Sequence, residues 1–242
     1  MLELTGVSKQ FRGLRAVSDA SLRVDAGEIV ALIGPNGAGK TTLFNLVAGV
    51  LEPTAGRIVF EGRDIAGMRP DRACNAGIGR TFQIVKPFAD LSVIENAMVG
   101  GFHGTRDEAL ARRRAEDALR ALGMWALRDR LAASLTLPDR KRLEVARALA
   151  TQPRLLLLDE VMAGLNPTEI TEIVQVIREI RNSGITILLI EHVMQAVTAL
   201  AERVYVLNQG CMIAEGTPAA IADDPAVIEA YLGHGAAKVM RA

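Results

Sequence analysis

Gly34-Pro35-Asn36-Gly37-Ala38-Gly39-Lys40-Thr41-Thr42 is the stretch from which the rest of the chain can be read. It follows Glu28-Ile29-Val30-Ala31-Leu32-Ile33, an apolar, β-branched run short enough to be a buried strand. It precedes Leu43-Phe44-Asn45-Leu46-Val47-Ala48-Gly49, which reads as a helix packed on that strand. The stretch fits G-x-x-x-x-G-K-[ST] in the strand–loop–helix setting that a phosphate-binding loop requires. Glycines let the backbone wrap an anion closely, successive N–H groups point inward, and a helix N-terminus adds a favourable dipole. Lys40 is expected to reach the β- and γ-phosphates, and the Thr41 hydroxyl to ligate Mg²⁺.

The chain has 242 residues, half of them hydrophobic, and a formal net charge of +0. That suffices for one large core with a small subdomain. Balanced charge gives no reason to expect nucleic acid as a partner. Cys74 and Cys211 lie far apart without metal-ligand spacing, so a reduced, cytoplasmic setting is expected. No apolar run is long enough to cross a bilayer, and Met1-Leu2-Glu3-Leu4 is not a signal peptide. A membrane role would therefore come through a partner protein.

Upstream of the loop, Leu2-Glu3-Leu4 and Ala20-Ser21-Leu22-Arg23-Val24 read as short strands, the second ending at the Asp25-Ala26-Gly27 turn. Phe11 is one of few aromatics, and its ring can stack on a base or pack within a strand; spacing leaves both open. Downstream, Gly56 to Gly62 and Ile78 to Gln83 read as strands. From Ser92 to about Thr151 strand signals nearly vanish, which predicts a helical insertion. Asp107 to Leu122 has helical spacing, with Arg112, Arg113, Arg114 and Arg120 as a solvated face. Thr136 or Leu137 falls where a helix cap belongs, with Pro138 at the first helical position and Asp139 in the first turn.

Leu155-Leu156-Leu157-Leu158 reads as a strand buried on both faces, and it ends in Asp159-Glu160. The carboxyl ends of parallel strands are where an α/β sheet places its ligand chemistry. Asp159 is expected to hold Mg²⁺, and Glu160 to orient and deprotonate an attacking water. Ile170, Ile173, Val174, Ile177 and Ile180 mark a helix over Thr168 to Asn182. Ile185 to Ile190 is a further buried strand, and His192 just beyond it is placed to touch a γ-phosphate. A hairpin around Asn208-Gln209-Gly210 and two short helices after Thr217-Pro218 and Asp224-Pro225 complete the pattern.

Taken together, these residues resemble the ATPase subunits of ATP-binding cassette (ABC) transporters over essentially the whole chain. The phosphate loop corresponds to Walker A and Leu155 to Glu160 to Walker B. Gln83 matches the Q-loop glutamine, Ala163-Gly164-Leu165-Asn166 the D-loop, His192 the switch histidine, and Phe11 the aromatic A-loop position. Gly79-Arg80-Thr81-Phe82-Gln83, Asn166-Pro167, Ile190-Glu191-His192 and Val227 to Gly233 resemble the narrower branched-chain amino-acid (Liv-type) importers.

The resemblance implies an α/β P-loop NTPase (RecA-like) core with an N-terminal antiparallel β-subdomain and an α-helical insertion. Its boundaries would be 1–84 and 153–242 for the core and 85–152 for the helical part. It implies ATP and Mg²⁺ as cofactors, with Thr41, Gln83 and Asp159 about the metal and Lys40, Gln83, Glu160 and His192 in catalysis. It implies transmembrane permease subunits, a second ATPase subunit and a periplasmic solute-binding protein as partners, at the cytoplasmic face of the inner membrane. Lipid export and a soluble regulatory ATP-binding role are the alternatives within the same fold.

Three departures stand out. The family signature Leu-Ser-Gly-Gly-Gln is Leu135-Thr136-Leu137-Pro138-Asp139 here, the proline after Walker B is Val161, and the D-loop aspartate is Asn166. In the family, one subunit's signature caps ATP held by the other's phosphate loop. Thr136 keeps a hydroxyl, but Leu137 restricts the backbone, Pro138 has no N–H, and Asp139 brings negative charge toward phosphate. A weakened cap on the partner's ATP is the expected consequence.

Overall fold

The computed structural model describes residues 1–81 and 86–232. Its chain divides into two compact units, Met1–Pro70 with Leu188–Ala242, and Asp71–Ile187. In the first unit, β1 (Leu2–Phe11) and β2 (Leu14–Val24) form an antiparallel hairpin. Both strands run longer than the alternation suggested. Bulges after Leu4, Val7 and Lys9 break the strict period while preserving the pairing. β4 (Ala55–Phe60) pairs with the other edge of β1, and β5 (Arg63–Asp64) pairs with β4, giving the order β2-β1-β4-β5, antiparallel throughout.

The same unit holds β3 (Ile29–Ile33), buried at all five positions, which feeds through the glycine-rich loop into α1 (Lys40–Val47). After α7 (Met194–Leu200) comes β9 (Arg203–Asn208), parallel to β3. β10 (Cys211–Gly216) turns back antiparallel to β9 through Gln209-Gly210. The helices α8 (Pro218–Ala222) and α9 (Pro225–Leu232) follow, each with proline at its first position, where a missing N–H costs nothing.

The second unit opens with α2 (Pro70–Asn75) and β6 (Ile78–Arg80). It then becomes helical: α3 (Val93–Gly101), α4 (Glu108–Ala121), two short 3₁₀ turns, and α5 (Leu137–Leu149). Asp107 caps α4 by accepting from the N–H groups of Ala109 and Leu110. The arginines on α4 are not all solvated: Arg114 Nη1 donates to the carbonyls of Gly101 and His103, tying α4 to the end of α3. β7 (Leu155–Asp159) is buried at every position and runs parallel to β6. Burying a leucine contributes about 1.5–3 kcal/mol, so the four-leucine run fixes this strand in the core.

α6 (Pro167–Asn182) buries Ile170, Ile173, Val174, Ile177 and Ile180, the stripe its spacing predicts. A reciprocal capping box between Asn166 and Glu169 starts it. The chain crosses from the second unit into the first within β8 (Thr186–Ile190).

Candidate nucleotide site

The phosphate loop owes its path to glycines at two positions. Gly34 has φ 146°, and a Cβ there would come within 1.9 Å of the Leu207 carbonyl oxygen. Gly39, at φ 106°, would put a Cβ 2.4 Å from the Ala16 carbonyl oxygen and serves as the N-cap of α1. Only a residue without a side chain fits either place. The loop is pinned from within by Ala38 N donating to Pro35 O, and from the turn between β9 and β10 by Gly210 N donating to Ala38 O.

Lys40 begins α1 and is 6% exposed. Its Nζ donates to Gly34 O at 2.6 Å and to Pro35 O at 3.1 Å, so the ammonium lies across the mouth of the loop. Those carbonyls hold the positive charge where an anion cradled by the loop would meet it. Thr41 is exposed, Thr42 half-buried, and Asn36 and Gly37 open to solvent. From the C-terminal side, α9 reaches the same loop. Burial pushes the Tyr231 phenol up, and a backbone hydrogen bond with Gly34 opposes that rise.

Phe11 ends β1 at the hairpin turn and is 41% exposed, so its ring is not a core ring. One face lies under Lys9 Nζ, 5.1 Å from the centroid, while that ammonium donates to Glu52 O. His192 is exposed just past β8, and its N–H donates to the carboxylate of the buried Glu191 at 3.3 Å.

The second unit carries the carboxylates. Asp159 closes β7 and is 1% exposed. Its N–H donates to Thr81 Oγ1 at 3.0 Å, and its Oδ2 lies 3.2 Å from Arg80 Nη2. Glu160 follows in the left-handed region at φ 50°, a strained conformation for a side-chain-bearing residue. Its carbonyl accepts from Lys141 Nζ at 2.9 Å and from Ala163 N at 3.2 Å. Lys141, on α5 and 6% exposed, thus holds the backbone of Glu160, a contact that sequence reasoning passed over. No motif marks it, because its partner lies elsewhere in the chain.

At the start of α5, Thr136 is the N-cap, which puts Leu137 first and Pro138 second in the helix, one position later than the sequence suggested. Thr136 Oγ1 accepts from Asp139 N at 3.4 Å and donates to Asp139 Oδ2 at 2.8 Å. Leu137 is exposed. Leu135, the preceding residue, is buried. Asn166 Oδ1 accepts from the N–H groups of Thr168 and Glu169, doing for α6 what an aspartate would do. Val161, in the proline position, is 4% exposed and packs into the core. Gln83 lies outside the described residues.

A glycine-wrapped loop running into a helix, with a buried acidic end on a parallel strand, defines a P-loop NTPase of α/β type. The chain belongs to the ABC transporter family, whose model matches residues 17–163. A second model, for the branched-chain amino acid ATP-binding cassette transporter, matches residues 211–237.

Among curated relatives, the high-affinity branched-chain amino acid transport ATP-binding protein LivG of Salmonella typhimurium is 43% identical, over 96% of this chain and 98% of LivG. The lipopolysaccharide export system ATP-binding protein LptB of Escherichia coli is 39% identical, over 96% of this chain and 97% of LptB. A crystal structure of a nucleotide-free ATP-binding cassette from an ABC transporter superposes with a TM-score of 0.89 at 31% identity, covering 97% of this chain and 99% of that one. The protein is thus an ATP-binding cassette with the ATPase chemistry of its family. Among the described residues, no helix is long and apolar enough to cross a membrane.

Proposed function

We propose that this chain is the ATP-hydrolysing subunit of an importer for branched-chain amino acids or a related small organic solute. The observation that carries the reading is the match of residues 211–237 to the branched-chain amino acid cassette model, beyond the general ABC match. The chain would work at the cytoplasmic face of the membrane, docked on transmembrane permease subunits, with a second ATPase subunit and a periplasmic solute-binding protein. Residues 1–84 and 153–242 would form the nucleotide-binding core, and 85–152 the helical part that meets the permease.

In this reading the loop Gly34 to Thr42 cradles the triphosphate and Lys40 balances its charge. Phe11 offers an open ring face to the base, which its 41% exposure supports. Glu160 holds and deprotonates the attacking water, while His192 and Gln83 contact the γ-phosphate side. The Thr41 hydroxyl and the Asp159 carboxylate are hard oxygen donors of the kind Mg²⁺ takes alongside water and phosphate oxygens. When bound there, Mg²⁺ neutralises charge on the transferring phosphoryl group.

The segment Leu135, Thr136, Leu137, Pro138 and Asp139 would face the partner's nucleotide as a weakened cap. Pairing with a distinct second subunit would then give one competent and one impaired composite site. The likeness to LptB supports lipid export as the second reading.

A tagged chain is expected to co-purify with integral membrane subunits, and the reconstituted complex to drive ATP-dependent leucine uptake that Lys40→Ala abolishes. Lipid extraction without solute uptake would assign the chain to the second reading. Unchanged hydrolysis by Lys40→Ala would remove both.

A further inference from the structure

The carboxylate read above as a metal ligand already has a cation on it. Arg80 closes β6, and its Nη2 lies 3.2 Å from Asp159 Oδ2, with side-chain exposures of 11% and 0%. The pair is held from both sides. Arg80 Nε donates to Thr81 O at 3.2 Å, Thr81 N donates to Leu157 O at 2.9 Å, and Thr81 Oγ1 accepts from Asp159 N at 3.0 Å. Strand pairing sets Arg80 opposite Leu157, two residues short of the aspartate, which lets the guanidinium reach forward to it. This contact, at the end of two parallel strands, is more buried than the Arg147–Glu144 and Arg203–Glu28 pairs.

A buried carboxylate needs a compensating positive charge. A guanidinium and a divalent ion answer the same need on the same carboxylate, where Arg80 contacts Oδ2, and two cations crowded onto one carboxylate repel each other. We propose that Arg80 is a stand-in cation: it holds Oδ2 of Asp159 when metal is absent and competes with Mg²⁺ for that carboxylate. Arg80 thereby weakens capture of free metal by the empty site. The charge of a bound nucleotide tips the balance, so metal enters with the nucleotide. The inference rests on the reading of Asp159 as a metal ligand, and it assigns to Arg80 a positioning role that no motif gives it.

The test counts bound Mn²⁺ by electron paramagnetic resonance on the full chain, with and without ADP. Arg80→Met, which keeps the apolar stem and removes the charge, is expected to bind Mn²⁺ about fivefold or more tightly than the parent chain, the gain being larger without ADP. Its metal-free melting temperature should fall, and Mn²⁺ with ADP should restore more of it than in the parent chain. Arg80→Lys, with a point charge in place of a planar fork, should fall between the two and serves alone if the methionine variant does not fold. Equal or weaker Mn²⁺ binding by the variant measured overturns the proposal. Asp159→Asn separates the two layers of the argument. If it loses Mn²⁺ while the Arg80 variants bind as the parent does, only the stand-in role fails. If it binds Mn²⁺ undiminished, the metal reading of Asp159 fails and this proposal with it.

Discussion

Lys141→Met should slow hydrolysis while sparing nucleotide binding. Lys141 is 6% exposed, and its Nζ donates to the Glu160 carbonyl at 2.9 Å. Glu160 itself sits at φ 50°, a region that costs an ordinary residue on the order of 1–3 kcal/mol. A hydrogen bond from a charged donor contributes about 1.5–3 kcal/mol, the same size as the strain it opposes. Without it, Glu160 loses one of the bonds that oppose relaxation toward right-handed geometry, and the carboxylate proposed to hold the attacking water would turn away from it.

Each ~1.4 kcal/mol is a factor of ten in rate, so kcat should fall about 10- to 100-fold. KM for ATP should stay within about threefold, because the loop from Gly34 to Thr42 is untouched. Lys141→Arg, which keeps a donor, should recover part of the loss. The assay is steady-state phosphate release by the complex with its partner subunits, beside thermal melting to show that the variant is folded. A folded Lys141→Met whose kcat stays within about twofold of the parent would refute the argument that this amine holds Glu160 in place.

Glu160→Gln should bind ATP and stall as a closed dimer, visible by light scattering; undiminished turnover would move the general base elsewhere. The purified chain alone should hydrolyse ATP slowly and gain activity on adding its cognate second ATPase subunit, whereas full cooperative turnover by the homodimer would contradict a weakened cap at Leu135 to Asp139. Burial raises the Glu144 carboxyl above its usual range, with Arg147 opposing the rise. The folded state therefore holds that proton more tightly than the unfolded chain. Stability from this group is full below the unfolded value and is lost as pH climbs from 4.5 through the raised native one. Glu144→Gln should flatten that decline in chemical-denaturation curves taken across pH, and an unchanged slope would exclude Glu144 as its source.

What the sequence disclosed was whatever is written in neighbouring residues. The loop from Gly34 to Thr42 is a local pattern whose glycines, lysine and following helix all lie within one turn of chain. β7 was visible as four leucines and α6 as a stripe of isoleucines, because burial on two faces or on one imposes those periods. Short α7 escaped notice: it has no side-chain cap, so neither a start signal nor a long stripe announces it.

The contacts of Lys141 and Arg80 were invisible for a different reason. Their partners are 19 and 79 residues away, and only the packed chain brings them together. Asn166 looked like a loss relative to the family aspartate, yet its side-chain oxygen caps α6 equally well.

The mutual bonds of Thr136 and Asp139 have a consequence for assembly. A helix that finishes its own first turn is ordered before anything docks against it, and an arriving anion finds a latched end in place of waiting hydrogens. To gain Thr136 it would have to unlatch Asp139 and push aside a like charge. Communication between two paired nucleotides would then run in one direction, with this chain the listener at that end and not the speaker.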